Sequence, residues 1–121
     1  MKKVNPQGTD EEMLDLLQRE TFGYFVNEVN EQTGLIADKT QPGSPASIAA
    51  VGMGLSCYVT GVEHGLMPRA EAVKRTLTVL KFFLNSHQGP ELDATGYKGF
   101  YYHFLDMKSG KRVWQSELST I

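Results

Sequence analysis

The first helix that the sequence predicts runs from about residue 10 to residue 29. Thr9 and Glu12 form a capping box, in which the hydroxyl and the carboxylate accept hydrogen bonds from backbone N–H groups that the helix leaves unpaired. One stripe of side chains recurs at helical spacing, while charged residues fall on the other faces. The stripe consists of Leu14, Leu17, Thr21 and Phe25, with Met13 and Tyr24 beside it. We expect this amphipathic helix to pack one face against the rest of the fold.

A second helix, predicted from Pro45 to about His64, has apolar residues on every face and should be buried on all sides. Gly52, Gly54 and Gly61 each cost up to about 1 kcal/mol of helix propensity. Close packing against neighbouring backbone is expected to compensate for that cost. The apolar residues are Ile48, Ala49, Ala50, Val51, Met53, Leu55, Cys57, Tyr58, Val59 and Val62.

Gly65 is expected to end the second helix, and Pro68 suits the first turn of a third. The third helix has an apolar side, expected to face the core, and a polar outer side. The apolar stripe is Ala70, Val73, Leu77, Leu80 and Leu84, and the polar residues opposite are Arg69, Glu71, Lys74, Thr78 and Lys81.

Two long connections join the predicted elements. Residues 30–45 contain turn-forming Gly and Pro, and the second connection runs from His87 to about Glu117. If consecutive helices run antiparallel, the short link at residues 65–67 lies at one end of the helices and both long loops lie at the other. Long loops presented together by rigid helices are a usual setting for a binding or catalytic site.

The middle of the second connection is predicted to form a β-hairpin. Gly99 to Met107 is rich in Tyr and Phe, residues 108–111 form the turn, and residues 112–114 return. Alternation would place Phe100, Tyr102 and Phe104 on one side of the strand and Tyr101, His103 and Leu105 on the other.

The alternation of one-sided and fully apolar helices is what a double ring of helices requires, with amphipathic members outside and apolar members inside. The sequence therefore predicts an all-α fold. Ser119, Thr120 and Ile121 look like the start of a further helix. We interpret the chain as part of a larger domain that continues beyond Ile121.

The composition is that of a globular chain, with 40% hydrophobic and 21% charged residues among 121. A net charge of −2 argues against a nucleic-acid partner. No stretch approaches the roughly 18 apolar residues that would cross a bilayer, so we expect no membrane span. The basic start lacks the apolar stretch of a signal peptide. The location is left open, as cytoplasmic, or as periplasmic or secreted if a signal peptide was removed.

Cofactor chemistry has little support in the sequence. Cys57 is the only cysteine, so no internal disulfide forms, and a packed thiol is the simplest interpretation. The histidines His64, His87 and His103 lack the spacing of metal ligands. We therefore expect no metal site and no other cofactor.

Aromatic residues concentrate in the predicted hairpin. Flat rings with polar edges suit stacking on sugar faces, although a hairpin buried against the helix ends would also need them. We take Tyr101 as a candidate substrate contact. The six aromatic residues are Tyr97, Phe100, Tyr101, Tyr102, Phe104 and Trp114.

Five carboxylates are expected at the loop end: Asp38, Glu91, Asp93, Asp106 and Glu117. Glycoside hydrolysis needs two, one protonated and one ionised. Glu91 and Asp93 are most simply solvated. Asp106 begins the hairpin turn, where an Asx-type bond to the backbone is the alternative to catalysis. Glu117 precedes the expected helix start, where interaction with the helix dipole is the alternative.

Three stretches together resemble the glucoamylase-like family of bacterial proteins, which includes β-1,2-glucanases. The first stretch runs from Gln18 to Phe25 and continues with Thr33-Gly34-Leu35-Ile36-Ala37-Asp38-Lys39. The second is Ala46 to Gly52. The third runs from Gly96 to Met107 and continues with Glu117 to Ile121. Their order and spacing agree with the family as well as their composition. The resemblance covers nearly all of the chain after Thr9.

The resemblance implies that the chain is the N-terminal segment of a single (α/α)6 toroid, residues 1–121, with the hairpin in a long active-site loop. By position it implies that Asp106 and Glu117 are acidic members of the cleft, which makes them our catalytic candidates. It also makes Asp38, Lys39, His103 and Trp114 candidate substrate contacts. The implied function is hydrolysis of a β-glucan, β-1,2-linked in our interpretation, without a metal. The substrate would be an oligo- or polysaccharide, and the segment alone would be inactive because the remainder of the domain is missing.

Two alternatives remain open at this point. One is a glucoamylase that cleaves α-glucan, and the other is a helical scaffold that binds sugar without turnover. Assays on β-1,2-glucan and on starch would separate them.

Overall fold

A computed structural model describes residues 8–120. They form the helices α1 (Asp10–Asn27), α2 (Ile48–Glu63) and α3 (Arg69–Leu84). Four short strands lie in the loops, β1 (Ala46–Ser47), β2 (Gly96–Tyr97), β3 (Phe100–Tyr101) and β4 (Phe104–Leu105). Ser119 and Thr120 are irregular, and Ile121, the last residue of the expected helix start, lies outside the described residues.

The helix ends follow local sequence signals. The capping box is confirmed, since Thr9 Oγ1 accepts the Glu12 N–H over 3.2 Å and the Glu12 carboxylate accepts the Thr9 N–H. α1 ends at Asn27, two residues early, because Val29 leaves the helix to pair with Ile36. α2 begins at Ile48 rather than Pro45, since residues 46–47 form a strand.

Gly65 ends α2 as expected. Its φ is +69°, in the left-handed region that suits glycine. Gly65 N–H donates to the Val62 carbonyl over 3.1 Å, and Leu66 N–H donates to the Gly61 carbonyl over 2.8 Å. These two bonds are the Schellman pattern of a helix C-terminus.

The two long loops meet at one end of the helices, as the topology predicts. β1 of the first loop pairs antiparallel with β4 of the second, with Ala46 opposite Leu105 and Ser47 opposite Phe104. The Thr33 hydroxyl donates to the Met107 carbonyl over 3.2 Å. The loops therefore form one connected structure.

The predicted hairpin is correct in its turn and in residues 112–113 of its return, whereas Trp114 lies in a further turn and the predicted alternation is wrong. Bridges at Leu105–Arg112 and Tyr102–Leu118 join the two limbs. However, Tyr102 and Leu105 are both buried, although alternation would separate them. The physical reason is a bend at His103, which divides the expected strand into β3 and β4.

Most of the deeply buried side chains belong to the loops. Leu35, Ile36, Ala46 and Leu105 are all at most 1% exposed. The helices contribute Val51 and Tyr58 of α2 and Ala72 and Val79 of α3 to the buried residues. The core thus sits under the loops at the end of the helices where they meet.

α2 is not buried on all sides within residues 8–120. It buries Val51, Gly54, Tyr58 and Gly61, whereas Met53 and Val59 are exposed. Half of α1 is also uncovered, since Leu14 and Leu17 are exposed and the packed residues lie in its second half. The described chain offers α2 neighbours on one side only, which is why the expectation fails.

The apolar stripe of α3 faces away from the described core, contrary to expectation. Ala72 and Val79 make the buried contacts instead. Arg75 lies on the same side, where it donates to the Val26 carbonyl of α1 over 3.3 Å and pairs with Glu71 at 2.8 Å. Because its polar groups are satisfied there, a charged side chain occupies the packed face and the leucines remain exposed.

Two of the three glycines in α2 are closely packed, but against side chains and not against the neighbouring backbone that was expected. A Cβ at Gly54 would overlap Ile36, and one at Gly61 would overlap the ring of Phe22. Gly52 has nothing within 4 Å, so close packing among the described residues does not explain it. Cys57 is half-buried, and burial raises the pKa of its thiol, in agreement with a packed rather than reactive cysteine.

No helix within residues 8–120 has both the length and the apolar character to cross a bilayer.

A pair of glycine substitutions tests the packing of the first loop on α3. Gly34 and Gly43 have nearly the same φ, +78° and +79°, but only Gly34 is packed, since a Cβ added there would lie 2.9 Å from the Val79 Cα. We expect Gly43→Ala to cost about 1 kcal/mol of unfolding free energy, from the left-handed backbone alone. Gly34→Ala should cost about 1–3 kcal/mol more. Urea unfolding of both variants measures the difference, and equal losses would contradict the contact.

Candidate functional site

An open cleft of about 700 Å³ lies where the second loop meets the start of α2. We name it the Glu117 cleft. Ile48 and Ala49 of α2 form one wall, and the rest comes from the second loop. The loop residues are His103, Phe104, Trp114, Ser116, Glu117, Leu118, Ser119 and Thr120.

His103 joins the parts of this cleft through its backbone. Its carbonyl accepts the Ile48 N–H over 2.9 Å, and its own N–H donates to the Glu117 carbonyl over 2.8 Å. The bend at His103 therefore fixes the start of α2 against the segment that carries Glu117. The Glu117 side chain is exposed in the cleft.

Three rings form a row along the cleft. The centroids of His103 and Phe104 lie 4.5 Å apart at an interplanar angle of 82°. Those of Phe104 and Trp114 lie 5.2 Å apart at 61°. Edge-to-face contacts of this kind are favourable. The row leaves Trp114 70% exposed within the described residues, so a ligand is able to reach its side chain there.

The structure brings together His103, Trp114 and Glu117 from the predicted site, but it gives Asp106 a local role. Asp106 Oδ1 accepts the N–H groups of Lys108 at 2.9 Å and Ser109 at 2.8 Å, and the Ser109 hydroxyl. The Ser109 N–H bond is the main reason that the pKa of Asp106 is lowered. An ionised carboxylate tied into its own turn fits the Asx alternative and is unsuited to act as a proton donor at neutral pH.

The other predicted contacts do not line the Glu117 cleft. Asp38 and Lys39 are exposed at the end of the Ala37–Ala46 bridge, where Asp38 N–H donates to the Pro45 carbonyl. Tyr101 packs on Phe83 of α3, with ring centroids 4.5 Å apart. Their roles as substrate contacts stay predictions, and for Tyr101 the geometry favours packing.

The remaining loop carboxylates are exposed and paired. Glu91 Oε2 lies 2.7 Å from His87 Nε2, and Asp93 lies 3.6 Å from Lys111 Nζ. A backbone N–H bond, followed by His87, lowers the pKa of Glu91. These surface pairs agree with the solvated interpretation.

Sequence reasoning missed Ser116 and Arg112 as organisers of the cleft. The Ser116 hydroxyl bonds both the N–H and the carbonyl of Phe104, at 3.1 and 3.2 Å. Arg112 Nε donates to the Ser116 carbonyl over 2.6 Å. Neither residue belongs to a motif that would reveal these partners.

The chain is similar in sequence to a protein named for hydrolysing β-1,2-glucooligosaccharides. It is 34% identical over 107 residues to the exo beta-1,2-glucooligosaccharide sophorohydrolase (non-reducing end) of Parabacteroides distasonis. This match covers 87% of the chain and 14% of that relative. No family model matches the chain.

Two crystal structures of proteins named "putative glucoamylase" share the fold. The one from Bacteroides uniformis has a TM-score of 0.73 at 27% identity, over 88% of this chain and 24% of that one. The one from Bacteroides fragilis has a TM-score of 0.71 at 21% identity, over 91% and 26%. The chain thus spans about a quarter of the solved structures it matches.

The fold expected from the sequence is confirmed, because the three helices and the small antiparallel strands in the loops match these two structures. The match is that of a part of an α/α toroid. The match in sequence adds to the match in fold. The resemblance to the glucoamylase-like proteins of bacteria that the sequence indicated is confirmed in sequence and in fold, over a part of the length of those proteins.

Proposed function

We propose that the full-length protein is a glycoside hydrolase that acts on β-1,2-linked glucan through carboxylates and without a metal. The observation that carries the proposal is the Glu117 cleft, where an accessible carboxylate lies beside an exposed indole. The relative from Parabacteroides distasonis is named for hydrolysing β-1,2-glucooligosaccharides, which supports this linkage.

Glu117 is the proposed catalytic carboxylate of this segment. Glycoside hydrolysis pairs one carboxyl group that protonates the leaving oxygen with another that activates water or attacks the sugar. His103 and Trp114 border the same cleft and are proposed substrate contacts, with Asp38 and Lys39 as more distant candidates. Asp106 stays the second catalytic candidate from the sequence, although its geometry favours a structural role.

Two other functions remain to be distinguished by assay. The names of the solved structures point to α-glucan, and a sugar-binding scaffold would bind glucan without cleaving it. Reducing ends released from β-1,2-glucan but not from starch would support the proposal. Release from starch alone would support a glucoamylase, and binding without release would support the scaffold.

Two amide substitutions in the full-length protein separate catalytic from structural carboxylates. We expect Glu117→Gln to lower turnover about 100- to 10,000-fold, because one positioned proton-transfer group is lost at constant size. Asp106→Asn should retain most activity, because an amide oxygen still accepts the N–H groups of Lys108 and Ser109. Initial rates on β-1,2-glucan, with melting curves as folding controls, measure both. Loss of turnover in Asp106→Asn would restore its catalytic assignment, and full activity in Glu117→Gln would remove that of Glu117.

We also propose that residues 1–121 are one segment of a single toroidal domain whose other helices cover the exposed apolar faces. The α3 stripe supports this, since Val73, Leu77, Leu80 and Leu84 are 44–82% exposed. A row of exposed apolar side chains is typical of a surface that packs against another part of the protein or against a partner. The match spans 24–26% of the length of the two solved relatives, so most of each relative's own chain lies outside it. In those proteins, further chain is available to cover such a stripe. The segment alone should then hydrolyse no glucan.

A charge placed in the stripe should have opposite effects in the segment and in the full-length protein. We expect Leu77→Glu to destabilise the full-length protein by about 3 kcal/mol or more, since it buries an unpaired charge. In the isolated segment, the same change should reduce self-association, because it breaks an exposed apolar patch.

The matched control is Lys74→Glu, an exposed position of α3 that lies about one turn before Leu77 and outside the apolar stripe. It should change stability by no more than about 0.5 kcal/mol. Urea unfolding and sedimentation measure the two effects. Unchanged stability of full-length Leu77→Glu would contradict a covered stripe.

A further inference from the structure

The turn at residues 113–116 is built against the ordinary preferences of its residues. Trp114 and Gln115 have φ values of +56° and +50°. Ser116 N–H donates to the Val113 carbonyl over 3.1 Å, which closes the turn. Two consecutive left-handed residues inside such a turn match type I′, which favours Asn followed by Gly. Both residues found here carry a Cβ that this backbone region disfavours.

Burial within residues 8–120 does not compensate for this strain. Trp114 is 70% exposed, and its ring meets the Phe104 ring only edge to face. Gln115 is exposed as well. Strained backbone that presents an exposed aromatic side chain is typical of a functional site rather than of a stabilising contact.

Arg112 holds the turn in this conformation. Its Nε donates to the Ser116 carbonyl over 2.6 Å, and its Nη2 donates to the Gln115 carbonyl over 3.0 Å. The guanidinium lies 4.2 Å from the ring centroid of Tyr102, which is buried. The arginine is thus anchored on the core on one side and bonded to the turn on the other. A planar fork makes both bonds in fixed directions, whereas a lysine ammonium does not.

We propose that Arg112 is a positioning residue that clamps the 113–116 turn, so that the Trp114 indole forms a preformed stacking surface for a glucose ring at the Glu117 cleft. The inference rests on the proposed function. Trp114 borders the cleft together with His103 and Glu117. A surface that is already in place before binding does not have to be ordered by the sugar, which increases affinity.

The first test is Arg112→Lys in the full-length protein, assayed on a β-1,2-linked glucooligosaccharide. KM should rise about tenfold with little change in kcat. If the turn of the lysine variant holds the indole in its binding position only about a tenth of the time, the apparent affinity for the sugar falls about tenfold. The matched control is Arg19→Lys on α1, an exposed arginine paired with Asp15, which should leave KM unchanged. Unchanged KM in Arg112→Lys would overturn the clamp.

A double-mutant cycle separates a clamp from a general loss of structure. Trp114→Ala should raise KM, and adding Arg112→Lys should raise it no further, because the clamp then has no indole to hold. Additive effects of the two changes would overturn the proposal.

A spectroscopic readout distinguishes this inference from the proposed function. With 5-fluorotryptophan incorporated, the Trp114 resonance is identified by its loss in Trp114→Phe. It should be sharp in the parent, broad in Arg112→Lys, and shifted by the oligosaccharide. A shifted resonance without cleavage of the oligosaccharide would contradict the proposed hydrolysis but support the stacking surface. Cleavage with an unshifted resonance would overturn the stacking surface alone.

Should Arg112→Lys fail to fold, Gln115→Gly tests the strain with the arginine present. Glycine suits the left-handed position, so the melting midpoint should rise while KM stays unchanged. A lower midpoint or a raised KM would overturn the proposal.

Discussion

Backbone N–H and C=O groups that leave water must find hydrogen-bond partners, and the two long loops of this chain find them in each other. Successive antiparallel bridges join Ala37 to β1, β1 to β4, and β4 to Arg112. This ladder allows Leu35, Ile36, Ala46 and Leu105 to be almost completely buried although none belongs to a helix. Without it, the apolar residues of the loops would carry unpaired backbone groups into the core.

The same ladder positions the Glu117 cleft. β1 runs directly into α2, and Ser47 caps that helix by accepting the Ala50 N–H over 3.0 Å. On the other side of the pairing, His103 bonds both Ile48 and Glu117 through its backbone. The start of an apolar helix and the segment with the candidate carboxylate are therefore held together. Rigid support of this kind keeps a site on loops in a single geometry.

Exposed apolar side chains have a different significance on helix α3 and at the Glu117 cleft. The exposed leucines of α3 are a cost to an isolated segment, and a larger domain would convert them into packed surface. The exposed Trp114 sits on strained backbone that Arg112 restrains, so its placement depends on a specific side chain rather than on burial. A packed face tolerates substitutions of similar volume. The clamp requires the geometry of a guanidinium.

The sequence by itself determined the features that depend on neighbouring residues. The capping box at Thr9, the end of α2 at Gly65 and the turn after Asp106 all arise from contacts within a few positions, and all were predictable. The resemblance in three stretches also pointed to the group of proteins that the comparisons found, because their order and spacing are read directly from the chain. Glu117, His103 and Trp114 were proposed as site residues in the same way, as members of the third stretch or of the segment that it encloses.

Only the tertiary structure decided which faces meet and which side chains share a site. Periodicity located an apolar stripe on α3 but not its partner, and Arg75 took the packed side because Val26 and Glu71 satisfy it. The pairing of β4 with β1 joins residues nearly sixty positions apart, which no local pattern encodes. Asp106 and Glu117 look alike as acidic loop residues, yet one is bonded into its own turn and the other faces a cleft. Side-chain identity sets what a residue is able to do, whereas long-range backbone pairing sets where it does it.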